Sequence, residues 1–173
     1  MQHDLSRHPA HASIDKDSQN IARSDWACVL AALPAGEIKA AADAIARTHD
    51  VHDVSLPQAG LGLLTLRDGA FHEPFYLGEV PVARAHVVVR TRDGREASGA
   101  AVLIDDRARL ARALAILDAT LAARLPGWEA AAALVERGVA VRAELDAQRL
   151  RILDRTRVDF ALLGQTEEEE DDE

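Results

Sequence analysis

The chain has 173 residues, of which 48% are apolar, and a formal net charge of −9. This length and composition predict one globular domain with a substantial core rather than a disordered chain. Seven acidic residues at 167–173 carry most of the charge, and without them 22 acidic residues face 20 basic ones. A near-neutral body argues against nucleic acid as a partner, because phosphate binding of that kind needs a net basic surface.

The two ends of the chain predict segments outside the domain. Residues 1–22 are polar without helical or strand period, and residues 165–173 are almost wholly acidic, so both are expected to be disordered. The single domain is then expected over residues 23–164. No stretch approaches the roughly 18 apolar residues of a membrane span, and no signal-peptide core is present. With a single cysteine, Cys28, these features predict a cytoplasmic protein without contact to membranes.

The first and last parts of the expected domain have helical periodicity. Ser24 is a good N-cap for a first helix, which Pro34 would end, and a second helix is expected over about residues 37–47. A third helix is predicted from Asp105, because leucines recur every three or four positions from Leu110 to Leu125, up to a break at Pro126-Gly127. A fourth helix is predicted over about residues 128–155. It has two apolar stripes, although docking on one surface needs a single stripe; they consist of Leu134, Val141, Leu145 and Ile152 and of Val135, Val139, Leu150 and Leu153. The second stripe is therefore available for a partner.

Between these helical regions the hydrophobic period is two, which predicts strands. Asp68-Gly69 and the Arg92–Gly94 stretch lie between apolar segments and predict hairpin turns. The prolines Pro57, Pro74 and Pro81 are expected at strand ends, edges or bulges, because proline cannot donate to a ladder. The predicted strands are VHDVSL, GLGLLTLR, AFHEPFYLGEV, ARAHVVVRT and REASGAAVLI. The fold class is thus α+β, an antiparallel sheet of four to five strands flanked by N-terminal helices and two long C-terminal helices.

The sequence contains no clear catalytic constellation. His49 and His52, each beside an aspartate, match no strong metal-ligand spacing and are interpreted as part of a solvated loop. Cys28 is interpreted as a small buried apolar residue rather than a nucleophile. Gly60 and Gly62 resemble a phosphate loop only superficially, and close strand packing explains them better.

Charged residues surround the start of the third helix. Asp105 and Asp106 are expected to cap that helix and to complement its dipole. Arg107, Arg109 and Arg112 follow in its first turns, where cations are disfavoured. They hint at an anionic partner, although solvated arginines are the simpler interpretation.

One predicted strand has a face that mixes cations with valine. Successive side chains of a strand alternate sides, so Arg84, His86, Val88 and Arg90 share one face. This face is too apolar for a purely solvated strand and too scattered for a phosphate cradle. An arginine-rich protein interface fits it better, because arginine is enriched in interface cores. The alternative is a free-standing protein or enzyme that uses Arg84, His86 and Arg90 to bind a phosphate or phosphonate.

Four stretches in the same order resemble one known family. FYLGEVPVARAHVVV from Phe75 resembles the central motif of the PhnG family, the G subunit of the bacterial carbon-phosphorus lyase core complex. SDWACVLA from Ser24 resembles the family's opening tryptophan helix. ARLARALAILDATL from Ala108 resembles its alanine-rich helix, and RTRVDFALLG from Arg155 resembles its C-terminal signature. The resemblance spans about residues 24–164 and adds Arg157 and Phe160 to the candidate interface residues.

The resemblance implies an accessory role in phosphonate catabolism. In that complex the G, H and I subunits, with an ATP-binding-cassette-like L protein, replace the adenine of ATP with methylphosphonate to form α-D-ribose 1-methylphosphonate 5-triphosphate. The chemistry is attributed to the nucleosidase-like I subunit, and a radical-SAM J subunit later breaks the carbon-phosphorus bond. The G subunit is implied to be a non-catalytic part of a transferase complex, bound mainly to I and also near H and J. The G subunit is expected to hold no cofactor or metal of its own, and ATP and methylphosphonate are implied to be substrates of the whole complex.

Overall fold

A computed structural model describes residues 21–156 of the chain, which form four helices and three strands. In chain order these elements are α1 (Arg23–Leu30), α2 (Ala35–Thr48), β1 (Asp50–Arg67), β2 (Pro74–Arg90), β3 (Glu96–Leu103), α3 (Ala108–Ala122) and α4 (Trp128–Arg155). The α+β class and the antiparallel pairing are confirmed, and α4 has the predicted bounds. Apart from Ile21 and Ala22, the expected terminal segments lie outside the described residues, and Ile21 packs against the core.

The described sheet has three strands in the order β1-β2-β3, so the prediction of four or five strands is wrong. Two predicted strands merge into β1, and two others merge into β2. Pro57 does not end β1, because it lies in a register shift between Ser55 and Gln58, where the ladder is already interrupted. Pro81 does not end β2, because β3 pairs with β2 only as far as Ala83. Each proline thus occupies a position that tolerates a missing donor.

Helix α3 lies across one face of the sheet and forms the centre of the core. Ten of its residues are buried, and they pack on the alanines and valines of β2. The closest approach is at Gly99 of β3, where an added Cβ would lie 2.2 Å from the carbonyl oxygen of Ala115 and 2.4 Å from the amide nitrogen of Ala119. Only glycine therefore permits this distance between helix and sheet.

Helices α1, α2 and α4 complete the body around α3. The first half of α4 packs against α1 at Gly138, where an added Cβ would lie 2.4 Å from the carbonyl oxygen of Val29. Trp26 of α1 is half-buried against the core, and its indole N–H donates to the carbonyl oxygen of Ile21 at 3.2 Å. Alanine-rich helices pack this closely because their side chains are short.

The outer edge of β3 is occupied by side chains instead of another strand. Arg23 donates to the carbonyl oxygen of Ser98 at 3.0 Å, and the amide of Ala100 donates to Asp118 at 3.0 Å. Arg23 and Asp118 also form an ion pair at 2.8 Å. Together, α1 and α3 satisfy edge groups that a fourth strand would otherwise pair with.

Two helix starts differ from the predicted ones. Helix α1 begins at Arg23 with Ala22 as N-cap, so Ser24 lies in the first turn and does not cap the helix. Helix α3 begins at Ala108 without a side-chain cap. Asp105 instead accepts hydrogen bonds from the side chain and the amide of Arg107 within the preceding turn, and these bonds lower the pKa of Asp105 to about 2.

Candidate partner-binding surfaces

The side chains of strand β2 alternate between the helix-covered face of the sheet and a second face, which we call the open sheet face. The buried residues of β2 are Ala83, Ala85, Val87 and Val89. The open sheet face carries Arg84, His86, Val88 and Arg90, as the alternation predicted, and these residues are half-buried or exposed. Within residues 21–156 no helix covers this face. Whether it contacts a partner stays a prediction, and Arg157 and Phe160 lie outside the described residues.

The arginines of the open sheet face have polar partners within the chain. Arg84 donates to the amide oxygen of Gln58 at 2.9 Å, across the β1–β2 ladder. Arg90 donates from Nε and Nη2 to one carboxylate oxygen of Glu96 on β3, at 2.9 and 2.7 Å. The hydrogen bond to Glu96 is the main cause that raises the pKa of Arg90, and the charge of Asp50 adds to it. Arg90 is thus already neutralised by carboxylates.

The remaining part of the open sheet face mixes polar and apolar atoms. His86 Nε2 lies 2.7 Å from the hydroxyl oxygen of Ser98. A shallow groove of about 320 Å³ crosses the three strands and is lined by Asp50, His52, Val88, Arg90 and Glu96. Two carboxylates in this lining repel a phosphate or phosphonate dianion. The geometry is better suited to a polar protein surface with its own charged groups.

The second uncovered surface is the far end of the β1–β2 hairpin, residues 59–82, which we call the hairpin arm. Here β1 and β2 extend beyond β3 as a two-stranded ribbon. Seven large apolar residues of the ribbon are exposed: Leu61, Leu63, Leu66, Phe71, Phe75, Tyr76 and Leu77. So much exposed apolar surface is uncommon on monomeric proteins and is typical of interaction sites.

The tip of the hairpin arm is held in shape by one carboxylate. Asp68 accepts hydrogen bonds from the amides of Ala70, Phe71 and Glu73 at 2.8, 2.6 and 2.9 Å. These bonds, that of Phe71 first, lower the pKa of Asp68. The turn holds Phe71 outward, with 83% of the residue exposed.

The second half of α4 is the third uncovered surface. The residues of α4 that pack in the core, Ala131, Val135 and Gly138, all lie in its first half. Farther along, both predicted stripes are exposed, with Val141, Leu145, Leu150, Ile152 and Leu153 in contact with solvent. The expectation of a spare apolar stripe agrees with this exposure.

The residues near His49 differ from the predicted solvated loop. His49 ends α2, and its Nε2 lies 2.9 Å from the carbonyl oxygen of Pro126. His52 and Asp53 belong to strand β1, and Asp53 forms an ion pair with Arg112 at 2.7 Å. The loop interpretation is wrong because strand pairing begins immediately after α2. Across residues 21–156, no three metal-ligating side chains come together.

Other predicted sites also have local partners. Cys28 is exposed rather than buried, because the core-facing residues of α1 are Val29 and Leu30, and its sulfur accepts a hydrogen bond from Arg142 at 2.9 Å. Gly62 lies under the side chain of Val82, as close strand packing predicted. No atom crowds Gly60, so that explanation fails there.

The cations at the start of α3 are largely accounted for within the chain. Arg107 pairs with Asp105 and Arg112 with Asp53, so two of the three arginines have carboxylate partners. An anionic partner is not needed to explain them.

Sequence reasoning missed the hairpin arm as a surface. Its apolar residues were assigned to ordinary strands of a larger sheet, which would have covered them. The sequence feature that could have indicated this surface is the stretch at residues 59–66. It contains no charged residue, although it follows Pro57, where the strand pairing is irregular. None of the helices within residues 21–156 combines the length and the apolar character needed to cross a membrane.

Residues 21–156 thus form an α+β domain with three surfaces that no other described element covers, two of them strongly apolar, and this is typical of a protein that works in contact with other proteins. The family model described as "Phosphonate metabolism protein PhnG" matches residues 21–164. This chain therefore belongs to the PhnG family, that of the PhnG subunit of the phosphonate carbon-phosphorus lyase complex. A comparison with curated proteins found no match.

Proposed function

We propose that this chain is a non-catalytic accessory subunit of the carbon-phosphorus lyase core complex. With the I and H subunits it supports formation of α-D-ribose 1-methylphosphonate 5-triphosphate from ATP and methylphosphonate, with displacement of adenine. It acts in the cytoplasm and contacts mainly the I subunit, with the H and J subunits as further partners. Family membership supports the pathway, and the amount of uncovered surface supports the accessory role.

The observation that carries the proposal is the open sheet face. Val88 lies at its centre, between cations that already have partners in the chain. Such a mixture resembles an interface core with a polar rim, where arginine contributes planar hydrogen bonds. A binding site for a small dianion would instead leave its cations free of carboxylates.

The proposal is tested by co-expression with the I subunit, followed by affinity measurement and an adenine-release assay of the assembled complex. Arg84→Ala or Arg90→Ala is expected to weaken assembly by roughly 1–3 kcal/mol if the arginine is desolvated, and by much less at a rim. Arg137→Ala is the matched control, because Arg137 is an exposed arginine that pairs with Glu37 on the helical side of the molecule.

The outcome separates the accessory role from the alternative of a phosphonate-binding protein. A free-standing protein would bind ATP or methylphosphonate without other subunits. If the isolated chain binds either ligand and Arg84→Ala abolishes that binding, the accessory role is wrong and the alternative replaces it.

A further inference from the structure

We propose that the hairpin arm is a docking element that inserts into a cleft with two apolar walls on a partner subunit. The arm is separate from the open sheet face, which lies on the three-stranded part of the sheet. The inference rests on the proposed function only for the identity of the partner, the I subunit.

The first argument is that both faces of the arm are apolar. Residues directly opposite in a ladder share a face, so Leu61 and Leu63 lie on the side continuous with the helix-covered face. Leu66 pairs with Phe75, and this pair lies on the other side. A sheet with one face in water normally alternates apolar and polar residues. The arm lacks that alternation and therefore resembles a strand pair that is covered on both sides.

The second argument is the charge distribution. Residues 59–66 and 74–78 contain no charged side chain. Three of the four charged residues of the arm are at the tip. Two of them have partners within the turn, because Asp68 accepts hydrogen bonds from the turn amides and Arg67 donates to the carbonyl oxygen of His72. A complementary surface must therefore be apolar along the ribbon, and only its deep end can combine polar groups with an apolar contact for Phe71.

The third argument is the size of the exposed surface. At about 200 Å² for each fully exposed large apolar residue, the seven residues of the arm expose on the order of 800 Å². One partner in a standard stable interface contributes about the same area, roughly 800 Å². The arm alone is thus large enough for a stable contact, whereas a two-stranded ribbon left in water is only marginally stable.

A second copy of the chain cannot bury both apolar faces of the arm. Two arms that pair edge to edge form a four-stranded ribbon, whose two faces still expose Leu61 on one side and Phe75 on the other. Two arms that stack face to face cover one face of each and leave the other in water. A cleft with two walls covers both faces in one contact, and it receives Phe71 at its base as an aromatic anchor.

The test uses two single variants, Leu61→Glu and Phe75→Glu, one on each face of the arm. Ile104→Glu is the matched control, because Ile104 is 78% exposed and lies outside the arm. The affinity of each full-length variant for the I subunit is measured by titration. Both arm variants are expected to weaken binding at least tenfold, while the control stays within twofold of the wild type.

Circular dichroism and melting curves of the isolated variants verify that the body still folds, since neither side chain contributes to the core. Hydrogen exchange on the wild-type complex provides a second measurement, in which amides of residues 59–82 are expected to become protected on binding.

Three results would overturn the inference. Wild-type affinity in both variants would show that the arm is not in the interface, and an effect of only one variant would show a single wall. An arm-dependent dimer of the isolated chain would assign the surface to a second copy. Failure of the wild-type chain to bind the I subunit at all would instead remove the proposed function, and the docking inference with it.

Discussion

The two ends of strand β2 differ in side-chain size and in what covers them. At the end near β3, the covered positions hold alanine and valine, from Ala83 to Val89, and α3 packs directly on them. At the other end, Phe75, Tyr76 and Leu77 are large and uncovered. Along β2, small residues occur where α3 covers the strand, and the large apolar residues occur where no other part of the described chain covers it. A hydrophobic strand is therefore expected to be covered by other protein atoms, but its hydrophobicity does not tell whether those atoms belong to its own chain or to a partner.

The sharpest test of this difference compares a leucine in the body with a leucine in the arm. Leu117 on α3 is completely buried, whereas Leu61 is 70% exposed. Leu117→Ala is expected to lower the free energy of unfolding of the isolated chain by about 2–5 kcal/mol, because it creates a cavity. Leu61→Ala is expected to change it by less than about 0.5 kcal/mol. Chemical denaturation measures both values, and a large loss for Leu61→Ala would mean that the arm folds onto the body.

Two glycines provide a second comparison, in which the added group is only a methyl. Gly99→Ala places a Cβ within 2.4 Å of backbone atoms of α3, and overpacking of that kind costs about 1–3 kcal/mol or more. Gly60→Ala in the arm is the control, because no atom lies within 4 Å of the added Cβ. Thermal melts of the two variants measure the difference. Equal melting temperatures would show that α3 is not seated on β3 as described.

The smallest expected effect concerns the tip of the arm and pH. Hydrogen bonds from the tip amides lower the pKa of Asp68 below its ordinary value of 3.8. A lowered folded-state pKa stabilises the turn above pH 3.8, and this contribution is lost as the pH falls through the lowered value. NMR shifts of the Ala70, Phe71 and Glu73 amides are expected to move as the pH falls below 3.8, while those of body amides that bond to no carboxylate stay constant.

Asp68→Asn is the control for that titration, because it removes the ionisable group and keeps an acceptor oxygen. The acid-induced shifts should be absent in this variant. Shifts that persist in it would mean that another group controls the tip.

Much of the fold could be predicted from local signals. The Pro126-Gly127 break and the long helical period were enough for the bounds of α4, and the two Gly-containing turns were enough for the hairpins. The predicted strand count was wrong because neither Pro57 nor Pro81 ends a strand. Pro57 lies at a register shift, and Pro81 lies beyond the end of the pairing with β3. Both positions depend on the pairing of strands and cannot be recognised from the local sequence. Ser24 does not cap α1, since the helix starts one residue earlier.

The candidate surfaces were predictable to different degrees. The period of two was sufficient to place Arg84, His86, Val88 and Arg90 on one face. Their partners, such as Gln58, come from the register of a neighbouring strand and cannot be read from a single segment. The exposure of the arm depends on where β3 ends, so the sequence of the arm alone did not reveal it.

The closed edge of β3 has a consequence for self-association. Strand-by-strand growth into a fibre requires open edges on both sides of the sheet, because each added strand must receive one neighbour and offer the next. In the body, Arg23 and Asp118 occupy groups of the β3 edge that an incoming strand would need. In the three-stranded part of the sheet a strand can therefore be added along β1 but not beside Ser98 and Ala100, so growth through the body stops after one addition, whereas the hairpin arm keeps an open edge on β2.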